Sequence, residues 1–107
     1  MEDLKKDAED NKIMGVLAYF NILFLVPYLA AKESPFARFH ANQGCILFIA
    51  EIALSVLSFI LLFIPYVGVL LAMLLSLGIF VLTVLGIVNA IKGEQKELPF
   101  IGKFKII

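Results

Sequence analysis

The stretch from residue 44 to residue 91, GCILFIAEIALSVLSFILLFIPYVGVLLAMLLSLGIFVLTVLGIVNAI, contains one charged side chain, Glu51. Pro65 divides it into two runs, 44–64 and 66–91. At 1.5 Å rise per residue, either run as a helix reaches about 30 Å or more, the thickness of a bilayer's hydrocarbon core. Backbone in hydrocarbon must satisfy its own N–H and C=O groups, and a helix does so within one segment. Neither run shows the ten-residue alternation of a membrane barrel strand. The stretch therefore reads as two antiparallel spanning helices, with Pro65 and Gly68 bracketing the turn.

Working back from residue 44, Ser34-Pro35 reads as an N-cap followed by a first-turn proline. The second helix then covers 35–64, about 45 Å, longer than the hydrocarbon is thick. Its first part, 35–43, is expected to ride in the headgroup zone. Phe36 and Phe39 would face lipid there, while Arg38, His40, Asn42 and Gln43 would face headgroups, water or a partner. Further upstream, residues 13–31, IMGVLAYFNILFLVPYLAA, carry no charge and as one helix reach about 28 Å. They read as a further span, and their acidic flank and length argue against a cleavable signal. The expected fold is an all-α membrane protein, a three-transmembrane-helix bundle (13–31, 35–64 and 66–91) with a long second helix extending into the interface. A polar segment, 1–12, precedes the 13–91 bundle and carries eight charges. A basic, aromatic tail, 92–107, follows it and reads as an interfacial anchor, with a short edge-like strand as the alternative.

Composition agrees. The 107 residues are 62% hydrophobic, with a mean hydropathy of +0.99. A soluble domain is usually about 45–50% apolar. Nine basic residues balance nine acidic ones, so no field draws the chain to nucleic acid. The single cysteine, Cys45, makes neither an intrachain disulfide nor a metal cluster. It reads as an inert small apolar residue, with palmitoylation as the alternative. No cofactor is expected. Membrane lipids are the expected partners, together with other copies of the chain or other membrane proteins.

With three spans, the N-terminus shares a side with the 65–68 turn. Lys5, Lys6 and Lys12 lie on that side, against Lys32, Arg38, Lys92, Lys96, Lys103 and Lys105 on the other. The Lys and Arg bias places the C-terminus in the cytoplasm and the N-terminus outside a cell membrane.

Glu51 is the most informative side chain, because a carboxylate inside a bilayer costs about 2.5–3.5 kcal/mol. It lies roughly 10 Å below the boundary at Gly44. Ser55 follows one turn on, and depth matching brings Thr83 and Asn21 to about 10–15 Å. Glu51, Asn21, Thr83 and Ser55 could thus share an intramembrane polar layer. Two readings stand: a proton or cation relay, and a protonated acid acting as interhelical glue. Pro27 is expected to kink the first span, with Tyr28 as an aromatic anchor. Gly68, Ala72 and Ser76, and then Gly86 and Ala90, recur every four positions, which permits close helix approach within the chain or between copies. His40 stands without a second His or Cys nearby, so no metal site is expected. There is no HExxH, GxSxG, paired carboxylate or phosphate loop, so no catalytic residue is expected.

SPFARFHANQG (34–44), KIMGVLAYFNILFLVPYLAAK (12–32), LGIVNAIKGEQ (85–95) and LPFIGKFKII (98–107) together resemble small prokaryotic members of the Tic-twenty-like family. Phe39, His40, Gln43, Gly93 and Pro99 are the most distinctive positions. The family is named for a chloroplast import component, so the resemblance implies association with a translocation assembly. The expected function is a small non-enzymatic membrane protein, a subunit or self-associating scaffold of a translocation or transport assembly. The alternative is an oligomeric channel or proton or cation carrier that uses Glu51.

Overall fold

A computed structural model describes residues 2–107, the side chains of residues 2 and 4 excepted. Every regular element in it is helical: α1 (Glu2–Asp10), α2 (Lys12–Leu17), a 3-10 turn (Asn21–Phe24), α3 (Leu25–Ala30), α4 (Pro35–Leu61) and α5 (Val67–Ile91).

α4 and α5 form as their sequences dictate and are long and apolar enough to cross a membrane. The Ser34 hydroxyl accepts from the Ala37 N–H at 3.0 Å, and Pro35 opens the helix where its missing N–H costs nothing. A second cap comes from α1. Asp7 accepts from the Ser34 hydroxyl at 2.6 Å and from the Phe36 N–H at 2.9 Å. That places a carboxylate at the positive end of α4. The turn between the long helices holds Tyr66 at φ 62. Gly68 follows because a Cβ there would run into the Leu61 carbonyl. α5 ends in a Schellman cap: Gly93, at φ 72, donates to Ala90 O at 3.1 Å and Glu94 donates to Asn89 O at 2.9 Å.

The 13–31 run departs from the single helix expected. It folds as a helical hairpin, breaking at Ala18–Phe20 and reversing at Asn21, which takes a left-handed φ of 54. Asparagine adopts that conformation more readily than most residues. Pro27 then falls in the first turn of a new helix instead of kinking an old one, so its missing N–H breaks no internal bond. Tertiary contacts fix the reversal. The Ala18 carbonyl and Phe24 crowd Gly44, Tyr19 covers Gly86, and Gly15 lies against Phe36 and Ala90. The Phe24 ring reaches Phe48, with centroids 5.8 Å apart. The hairpin begins beside Asp7 and ends beside Ser34, so it enters and leaves at one end of the α4–α5 pair.

The core is confined to that end. The buried residues of α4 all lie between Phe36 and Leu47, and those of α5 beyond its first turn are Gly86 and Ala90. Tyr19, Phe24, Phe36, Leu47, Ala90 and Leu98 form the cluster. From Ile49 to Leu85 the two helices are largely exposed apolar surface.

Candidate functional site

Three of the groups expected at the headgroup zone, His40, Asn42 and Gln43, are drawn inward, and they bind the chain to itself. His40 is fully buried. Its Nε2 lies 2.8 Å from the Glu94 carbonyl, which can only accept, so that nitrogen carries the proton. Nδ1 is left as an acceptor for the Tyr19 hydroxyl at 2.5 Å. The rings of Phe36, Phe39 and Tyr19 meet the imidazole edge-on at 4.6, 5.1 and 5.5 Å. One side chain on α4 thus ties the hairpin to the segment leaving α5.

Gln43 and Asn42 do the same for the C-terminal segment. Gln43 Nε2 donates to Gly102 O at 2.9 Å, and its Oε1 accepts from Leu98 N–H at 2.8 Å. The amide acts as a peptide group laid across the 98–102 turn, in which Phe100 sits at φ 69. Asn42 Nδ2 donates to Phe104 O at 2.9 Å, and its Oδ1 accepts from the N–H groups of Ile106 and Ile107 at 2.6 and 3.1 Å. The tail is therefore strapped along α4, neither a free anchor nor a strand.

Of the four residues expected at the headgroup zone, Arg38 alone is exposed. It lines an open pocket of about 410 Å³ between the start of α4 and the strapped tail. Lys103 and Lys105 join it there, with Glu33 and Glu97, over a floor of Phe39 and Phe104. The Lys103 ammonium stands 5.5 Å from the Phe104 ring. The pocket can hold a polar group of mixed charge against an aromatic base. Sequence reasoning placed Lys103, Lys105 and Phe104 on a separate tail. The signal for the pocket was the neighbouring amide pair Asn42-Gln43, a double partner for an irregular backbone.

Of the four groups expected in one intramembrane layer, two lie together and two stand apart from them. Glu51 and Ser55 share a groove of about 230 Å³ between α4 and α5, lined also by Ser58, Leu75, Ser76 and Ile79. The Ser55 hydroxyl donates to the Glu51 backbone carbonyl at 2.7 Å, not to its carboxyl. Thr83 donates to Ile79 O at 2.9 Å. Asn21 is exposed at the tip of the hairpin. Among the described residues, no hydrogen bond joins Asn21 or Thr83 to Glu51. The small residues Gly86 and Ala90 serve contacts within the chain, beneath Tyr19 and Gly15.

A family model, the magnetosome magnetite crystal formation protein family (MamF/MmsF), matches residues 10–105. A UPF0132 membrane protein of Methanocaldococcus jannaschii is 45% identical over 98 residues, covering 87% of this chain and 83% of its own. A UPF0132 membrane protein of Archaeoglobus fulgidus is 39% identical, covering 84% and 86%. Magnetosome protein MamF of Paramagnetospirillum magneticum is 34% identical over 92 residues, covering 86% and 79%. No solved structure matches. These matches overturn the Tic-twenty-like resemblance. The segments that suggested it, from KIMGVLAYF to LPFIGKF, lie almost wholly inside the MamF/MmsF match, and the expectation of an import-type assembly falls with it.

Proposed function

We propose, from the premise that the chain belongs to the MamF/MmsF family of membrane proteins, that it is a small non-enzymatic structural component of a membrane-bound assembly. The observation that carries the reading is the tie from Tyr19 through His40 to Glu94. It ties the hairpin and the exit of α5 to α4, while Asn42 and Gln43 strap the tail to the same end, so that these parts make one plate with charged groups on its outer surface. Such a plate suits holding neighbours at a membrane face. Three relatives are named as magnetosome proteins, and a structural part in an assembly of that kind is the corresponding role for this chain.

In this reading α4 and α5 are the two spans, and the 12–31 hairpin dips into the bilayer and returns to the side it came from. The polar segment 1–12, the membrane region 13–91 and the tail 92–107 keep their boundaries, with the hairpin replacing the first of three spans. All nine Lys and Arg residues then lie on one side, with none in the 62–66 turn. Three spans would divide them six against three. The larger asymmetry supports a cytoplasmic plate in a cell membrane, with both ends of the chain on that side. Arg38, Lys103 and Lys105 face lipid headgroups from their pocket, while His40, Asn42 and Gln43 fix its walls.

Chemical crosslinking in native membranes, followed by purification, tests the structural role. A complex larger than the monomer, of like or unlike chains, is expected. A monomer that captures no neighbour contradicts it.

A second reading rests on the groove that Glu51 lines together with Ser55, Ser58 and Ser76. It makes the chain a proton or cation carrier. Flux through wild-type liposomes that Glu51→Gln abolishes is expected, and the absence of wild-type flux rejects it.

A further inference from the structure

The molecule is wider at one end than at the other. Its long axis measures 54 Å and its cross-section about 22 × 20 Å. At the charged end, the section holds the hairpin, α4, α5 and the strapped tail. At the other end it holds α4 and α5 alone. The tip of the hairpin reaches the level of Gly44 and Phe48, about the middle of α4 (Pro35–Leu61), so it stays within the half of the span nearer the charged end. Gly44 opens the apolar run of α4, and Phe48 lies about 6 Å deeper.

The outer face of the hairpin is apolar and uncovered. Ile13 is 74% exposed and Leu29 58%, and Phe20, Ile22, Leu23 and Val26 join them. Lys12 and Lys32 bracket the hairpin at its two ends, both exposed. A charged pair at the two ends of an apolar insertion sets its depth at the headgroup level. The occupant of this face is therefore the acyl layer of the leaflet on the charged side. The exposed face is continuous with those of α4 and α5, which meet lipid along their length.

We propose that the chain is an asymmetric wedge that binds curved membrane, accumulating where the leaflet holding the Lys12–Ala31 hairpin is convex. This rests on the two-span reading above. Two further helical segments, each roughly 10 Å across, enter one leaflet and not the other. A leaflet expanded in this way is relieved on a convex surface, as it is for other one-leaflet insertions. With the charged end in the cytoplasm, the favoured surface is a vesicle or invagination that bulges into the cytoplasm.

The experiment uses the full chain in giant vesicles of phosphatidylcholine with a minority of phosphatidylglycerol, from which narrow tubes are drawn outward. A membrane-impermeant dye on the N-terminal amine marks molecules with the hairpin in the outer leaflet. A second impermeant dye on Tyr66→Cys, a residue 90% exposed in the turn, marks those with it in the inner leaflet. The N-terminal label is expected to be enriched about two-fold or more in the tube, and the residue 66 label depleted. Equal distribution of both labels, or the reverse order, overturns the wedge. If single molecules carry both labels from outside, the two-span reading itself fails. Mutually exclusive labels without sorting reject the wedge alone.

Discussion

The hydroxyl of Tyr19 meets Nδ1 of His40 at 2.5 Å, across 21 positions of sequence, and both residues are almost fully enclosed. The pair closes the hairpin onto α4, and the second imidazole nitrogen holds the Glu94 carbonyl. A buried group that loses one partner keeps the full cost of its own desolvation. Tyr19→Phe removes only the donor and should destabilise by about 1 kcal/mol. His40→Ala also strands the hydroxyl and the carbonyl and opens a void, for about 2–4 kcal/mol. Unfolding in detergent followed by circular dichroism checks the order, and equal losses would contradict it.

Gly44 and Gly78 form a matched pair on the two long helices. A Cβ at Gly44 would run into the Ala18 carbonyl, whereas one at Gly78 meets nothing within 4 Å. Gly44→Ala is expected to cost about 1–3 kcal/mol, as forced overpacking does. Gly78→Ala should stabilise by up to about 1 kcal/mol through helix propensity. Opposite signs in the same unfolding assay are the expected result.

Gln43 holds the tail through a donor and an acceptor at once. Gln43→Glu keeps the acceptor for Leu98 N–H but loses the donor to Gly102 O. Hydrogen exchange over residues 98–104 should quicken about tenfold, the equivalent of about 1.4 kcal/mol, while exchange in α5 stays unchanged. Unaltered exchange in the tail would show that the strap is held elsewhere.

Much of this was legible in the sequence. The runs 44–64 and 66–91 admit no other reading than long apolar helices, and Ser34-Pro35 announces the start of α4 within a residue. The run 13–31 misleads because its composition is that of a span. What divides it is tertiary: the approach of the Ala18 carbonyl to Gly44 and of Tyr19 to Gly86. Two local signs were present, Asn21 at the reversal and Pro27 six residues on, in the first turn of the next helix. His40 was visible as a polar residue near an interface. Its partners were not, because one is a backbone carbonyl 54 positions away and the other a tyrosine inside an apolar run.

Glu51 lies along a groove with three serines, and its carboxyl has no partner among the described residues. A polar group facing hydrocarbon without a partner weakens insertion. Glu51→Leu should therefore raise stability in detergent by about 1–3 kcal/mol. A loss of stability on that substitution would show that the carboxyl holds the helix pair together.

In the two-span reading the chain crosses the membrane twice, and the 12–31 hairpin returns to the side it entered. Single cysteines at Lys5, Lys32, Tyr66 and Lys103, each in a Cys45→Ser background, can be probed with an impermeant thiol reagent in sealed membranes of one orientation. Two spans predict that positions 5, 32 and 103 react as one class and position 66 as the other. Position 5 reacting with position 66, opposite position 32, would mean that the first apolar run crosses the bilayer, and would contradict two spans.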